Sequence, residues 1–273
     1  MGFAGQVSYT HGHAESVLTS HRARRASDSA AYLLPELRPG MRLLDVGCGP
    51  ASITVDLAGV VGPGEVVGVD AAESVLDEAR RAVEAAGDGV RVSLRHADVM
   101  ALPFPAGSFD VVHAHQVLQH LPDPVGALRE MRRVARPGGL VAVRDVDYAT
   151  MTWAPESEGL SEWLELYREV ARADGGEPDA GRHLVGWALA AGFEPDDLTV
   201  TASAWSYAFE RSRDWAEQWA ERSVRSSFAA HAVAHGLADE VLLEQIAEGW
   251  RSWGEEPDGW FAMLHGEVLA RVR

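Results

Sequence analysis

A short apolar run, Met41–Val46, breaks off in a glycine-rich turn, Gly47-Cys48-Gly49-Pro50, and a second run, Glu65–Val69, ends in an acid, Asp70. Glycines directly after a strand let a ligand come close to the backbone. An acid at the end of the following strand, 25 residues after Asp45, suits a pair of sugar hydroxyls. The alternation continues. Helical patterns cover Ile53–Val61, Ser74–Ala86 (ended by Gly87) and Pro124–Ala135, the last stopped by Arg136-Pro137-Gly138-Gly139. Strand patterns cover Val90–Leu94, Phe109–Ala114 and Leu140–Asp145. Phe109–Ala114 is almost wholly apolar, as a strand covered on both faces requires. Strands separated by helices of about 10–15 residues predict βαβ units and a parallel sheet.

The second half differs. All nine tryptophans lie beyond residue 150. Gly159–Ala173, Leu184–Ala191, Asp214–Ser227 and Ala238–Trp253 read as helices, and Leu198–Phe209 and Trp260–Val272 as the closing strands of the same sheet. The expectation is an α/β fold with a doubly wound, mostly parallel seven-stranded sheet and a helical lid. Residues 1–273 form one domain in this reading, with N-terminal cap helices in 1–35, a cofactor-binding core in 36–150 and lid insertions at 151–180 and 211–256.

The net charge of −17, with no dense basic stripe, argues against nucleic acid as partner. No apolar run approaches the roughly 18–20 residues of a membrane span. The polar start, Met1 to Val17, lacks a basic n-region and apolar core, so the expected location is the cytoplasm and the expected partner a small molecule. The chain is expected to act as a monomer or homodimer. Cys48, the single cysteine, forms no intrachain disulfide and reads as the small residue of a tight turn. His113 and His115 share a strand face, but no third ligand is evident, so no metal is expected.

The turn is compatible with a dinucleotide site, yet Ser52 replaces the third glycine of G-x-G-x-x-G and Asp45 places negative charge where a pyrophosphate would lie. Asp45 can instead accept from an ammonium group. After the third strand, Asp98 can accept from an adenine amino group while Val99 packs on the ring. Leu102-Pro103-Phe104, Ser108-Phe109-Asp110-Val111-Val112 and His115-Gln116-Val117-Leu118-Gln119-His120-Leu121 follow in order.

That order of L-L-D-V-G-C-G, V-G-V-D, A-D-V with L-P-F, F-D-V-V, L-Q-H-L and R-P-G-G resembles a class I S-adenosylmethionine (SAM)-dependent methyltransferase of the kind typified by ubiquinone and menaquinone C-methyltransferases. The resemblance covers about residues 15–150. It implies that Asp45, Gly47 and Gly49 line the methionine end of SAM, that Asp70 and Ala71 hold the ribose, Asp98 and Val99 the adenine, and that Gln116 walls the sulfonium. Ala51 departs from the family's usual glycine. Tyr9, His11 and His13, Arg144-Asp145-x-Asp147-Tyr148, Trp153-x-Pro155 and Gly175-Gly176-Glu177-Pro178 are similar to segments of microbial methyltransferases of secondary metabolism, including enzymes that S-methylate dithiols.

Several residues carry two readings. Tyr9 and His13 either close over the cofactor or belong to an ordinary surface segment. Arg24 either pairs with the methionine carboxylate or lies on a solvated helix face. Trp163, Trp215 and Trp219 sit at core spacings, whereas Tyr148 and Trp153 are expected, with His115, to line the acceptor pocket. Methyl transfer from a sulfonium needs chiefly alignment and exclusion of water. No unmistakable base stands out. That favours a thiol or an easily ionised hydroxyl, with His120, Asp147 and His13 as candidates where a base is needed, and the resemblance points to a thiol of a natural product. The alternatives are O- or C-methylation of a phenol, quinol or polyketide, and a SAM-fold protein that does not methylate.

Overall fold

In the computed structural model, residues 20–273 are described. Tyr9, His11 and His13 lie outside the described residues. The strands are β1 (Leu43–Val46), β2 (Val66–Asp70), β3 (Val92–His96), β4 (Phe109–His115), β5 (Ala135–Ala154), β6 (Leu198–Ala208) and β7 (Trp260–Arg271). They form one sheet in the order β3-β2-β1-β4-β5-β7-β6. The first five run parallel, and β7 is antiparallel to both β5 and β6. The sheet is therefore mixed, with the chain doubling back between β1 and β4. That reversal opens a crevice at the strands' carboxyl ends.

Alternation along each strand gives the sheet two faces. Leu44, Val46, Val112, Ala114, Val141 and Val143 bury one face under α4 (Pro124–Val134) and α6 (Leu184–Ala190). Leu43, Val111, Leu140 and Ala142 bury the other under α1 (Ala26–Ser29) and α2 (Ser52–Val61). The helix α3 (Glu73–Ala86) packs Leu76 and Ala79 beside Cys48. Farther along, that second face is aromatic. Tyr148, Phe261 and Met263 meet α5 (Glu158–Ala173), α7 (Glu210–Arg225), α8 (Ser227–Ala234) and α9 (Glu240–Gly254). Trp163, Trp219 and Trp250 form its centre, fully buried with ring centroids 4.4–6.2 Å apart. No helix among the described residues is long and apolar enough to cross a membrane.

The structure differs from expectation in the lid, which holds the additional helix α8, and in the fifth strand, which begins at Ala135 rather than Leu140. The fifth strand continues to Ala154 instead of stopping at Asp145. It slips register between Asp147 and Thr152, then pairs again with β7 through Trp153 and Phe261. Asp147 and Thr150 lie at that slip. In the fold they mark an irregularity bridged by a long partner strand. Trp153 thus lies within the strand, with its ring stacked 6.2 Å from Phe261.

Candidate active site

The crevice is built from strand ends. Gly47 (φ 65°), Gly49 (φ 53°) and Ala51 (φ 65°) all take left-handed backbone, folding the β1–α2 turn back on itself. A side chain at Gly47 would run into Val117, whereas at Gly49 it would meet open space. Asp70 fixes the opposite wall: its Oδ2 accepts from the Gly49 amide (3.0 Å) and its Oδ1 from the Ala72 amide (2.9 Å). The His96 imidazole Nε2 donates to the Ala71 carbonyl (2.9 Å). Asp98 is exposed and accepts from the Met100 amide through Oδ1 (2.9 Å), while Val99 is buried beside it. Asp45 is buried and already accepts from Thr54 Oγ1 (2.6 Å) and His113 Nδ1 (2.7 Å). A carboxylate has about four lone-pair sites, so Asp45 retains capacity for a further donor.

This arrangement suits SAM. Backbone is laid bare at Gly49, Asp70 is held rigidly where a diol would be read, and an apolar residue stands beside an exposed carboxylate at Asp98-Val99. Acids of the right spacing line one crevice, with no glycine-lined nest for a pyrophosphate at Ser52.

On the acceptor side, Gln116 follows β4 in a left-handed conformation (φ 54°), held by its amide donating to the Arg144 carbonyl (2.7 Å). Its Oε1 accepts from Arg24 Nη2 (2.8 Å), and its Nε2 lies 2.9 Å from His265 Nε2. Arg24 is thereby brought to the site rather than left on a solvated face. The ring of His115 lies 5.7 Å from Trp205 and 6.3 Å from His265. Burial first, then the neighbouring Arg144 and Arg24 guanidiniums, hold both imidazoles well below the ordinary histidine range.

His120 is half-buried beside Gln119 (Nε2 to Nε2, 2.9 Å), and desolvation, with the nearby Arg24, lowers its pKa to about 3. Asp147 is clamped by Arg182 through two bonds of 2.6 and 2.9 Å, on the sheet face opposite His115. Tyr148 stacks on Tyr167 at 4.2 Å within the aromatic cluster. Trp205, His265 and Glu267, not singled out from the sequence, complete with Arg144 the surroundings of His115. The strand alternation signalled that they share faces, but only the pairing of β7 between β5 and β6 brings them together. Among the described residues no group of three or more His, Cys, Asp or Glu is arranged to hold a metal ion.

Residues 44–143 match the family described as methyltransferase domain. An uncharacterized methyltransferase of Schizosaccharomyces pombe is 33% identical over 269 residues, spanning 97% of this chain and 96% of that protein. The 27-O-demethylrifamycin SV methyltransferase of Amycolatopsis mediterranei is 34% identical over 211 residues, spanning 75% and 74%. The Haemonchus contortus phosphoethanolamine N-methyltransferase 2, solved with S-adenosylhomocysteine, superposes with a TM-score of 0.54 at 20% identity, covering 87% of this chain and 50% of that one.

Proposed function

The chain belongs to the class I SAM-dependent methyltransferases, and from that membership we propose that it methylates a small-molecule acceptor, with a natural-product thiol suiting the site best. SAM brings a methyl group on a sulfonium, already an activated leaving group. Asp45, Gly47 and Gly49 hold its methionine end, Asp70 and Ala71 its ribose, and Asp98 and Val99 its adenine. Gln116 and Arg24, joined by their hydrogen bond, face the reacting end.

The observation that carries the acceptor assignment is the lack of a poised base among the described candidates. Burial holds His115, His265 and His120 below the ordinary histidine range, so each is a weak proton acceptor, and Asp147 is committed to Arg182. A thiol ionises near pH 8.5 without such a base, and its thiolate is a strong nucleophile. The positive Arg24 and Arg144 favour that anion further. The same two cations support a second reading, an oxygen acid such as a phenol or quinol; the rifamycin relative is named for an oxygen acceptor. Tyr148 and Trp153 back the acceptor region from the aromatic cluster. The resemblance of the segments around Asp147, Trp153 and Gly176 to methyltransferases of secondary metabolism supports a role there.

A mass-spectrometric screen of reduced dithiols, phenols and quinols with SAM tests this. The expected result is a dithiol that gains one or two methyl groups with matching S-adenosylhomocysteine. Tight binding of NAD with none of SAM overturns it.

A further inference from the structure

Across β4, β5, β7 and β6, the face that carries Asp45 changes from apolar to polar. His115, Arg144, Glu267 and Thr201 stand in register, and Val146, His265 and Ser203 form the next row. This band lies between the cluster under α1 and α2 and the tryptophan cluster under the lid helices. Arg144 is fully buried. Its Nε lies 3.2 Å from Glu267 Oε1, and its Nε and Nη2 both reach Ser203 Oγ.

The band is polar beyond its own needs. Arg144 Nη1, both ring nitrogens of His115, His265 Nδ1 and Trp205 Nε1 are buried without a hydrogen-bond partner among the described residues. A buried polar group left without a partner is unfavourable. Several side by side mark a place for a ligand rather than a packing fault.

The hydrogen bonds define what that ligand offers. Arg24 can only donate, so the Gln116 oxygen faces it and the Gln116 NH₂ faces His265 Nε2. His265 Nε2 therefore accepts, and the proton sits on Nδ1, which is a free donor. Arg144 Nη1 and Trp205 Nε1 are donors by nature, and neutral His115 adds one N–H. The band thus presents mainly donors and calls for an acceptor-rich group. Two guanidiniums, Arg144 and Arg24, flank the Trp205 ring at 5.0 and 5.4 Å from its centroid. The rings of Trp205 and His265 lie 4.5 Å apart, forming an aromatic wall with His115.

We propose that this band is the acceptor subsite and takes a planar, anionic thiol whose sulfur stands next to a carbonyl or carboxylate oxygen. The proposal rests on the methyl-transfer reading above and names its substrate class. The oxygen takes the free donors, the ring lies against Trp205, and the cations hold the thiolate.

The test uses the full chain saturated with S-adenosylhomocysteine and titrated calorimetrically with 2-mercaptobenzoate or thiophenol, which lacks the oxygen. The expected result is 2-mercaptobenzoate binding at least about tenfold tighter. In Trp205→Phe and His115→Asn that preference shrinks to about twofold or less, while S-adenosylhomocysteine affinity, which also reports folding, stays within about twofold. Equal binding of the two thiols, no binding of either, or a preference retained in both variants overturns the proposal. Methyl transfer is read separately with SAM. Preferential binding without product defeats the methyltransferase reading but not the subsite; product without preference defeats the subsite alone.

Discussion

At Ala51 the chain uses a left-handed backbone (φ 65°) with a side chain that resists it, at a fully buried position. An L-residue in that region costs roughly 1–2 kcal/mol, while glycine adds about 0.5–1 kcal/mol of unfolded-state entropy. Ala51→Gly is therefore expected to be neutral or to stabilise by up to about 1 kcal/mol, with SAM affinity retained; a clear drop in Tm would contradict the strain at this turn. The buried imidazoles make a second residue-scale prediction. His115, His120 and His265 stay neutral in the folded state, whereas in the unfolded chain they take up protons below about pH 6.5. Their contribution to stability is lost as the pH falls. Asp145, pushed up to about 7 by burial, acts with the opposite sign between its unfolded value and 7 and offsets part of that loss. The balance is a net loss of stability between pH 7 and pH 5. Denaturant titrations at the two pH values check it, and unchanged or higher stability at pH 5 would refute it.

Among the elements, α5 and α9 cross where two glycines touch. A side-chain carbon at Gly159 would come within 2.8 Å of the Gly249 Cα. Gly159→Ala is expected to push the two helices apart and cost about 1–3 kcal/mol in urea unfolding, as overpacked sites do. Full stability in that variant would mean that the crossing is looser than described. The helices and strands of the first half were readable from sequence because their signals are local: an apolar run, a glycine turn, a helix stop. The fifth strand was read nine residues short because continuation from Asp145 to Ala154 depends on its partner β7 and not on its own pattern. The same limit hid the acceptor side. Asp45 and Asp70 stand at the ends of strands and Asp98 just beyond one, so they announce themselves, whereas His265, Trp205 and Arg144 meet only after strands far apart in sequence become neighbours. Asp147 shows the converse. A polar residue in a promising segment proved to be tied to Arg182 on the other face.

For the whole molecule, one sheet serves two ends of a reaction. The parallel half lays out the crevice for SAM, and the antiparallel half, roofed by tryptophan-bearing helices, surrounds His115. A single reaction should therefore depend on both halves. The most direct measurement is transfer of a labelled methyl group from SAM to reduced dithiol natural products, followed by mass spectrometry, in the wild type and in Asp70→Ala. The account predicts S-methylated product and S-adenosylhomocysteine in matching amounts, with SAM affinity reduced at least about tenfold in Asp70→Ala because the ribose contact and the bond to the Gly49 amide are both lost. Labelled SAM that binds tightly yet yields no methylated product from any thiol, phenol or quinol would contradict it.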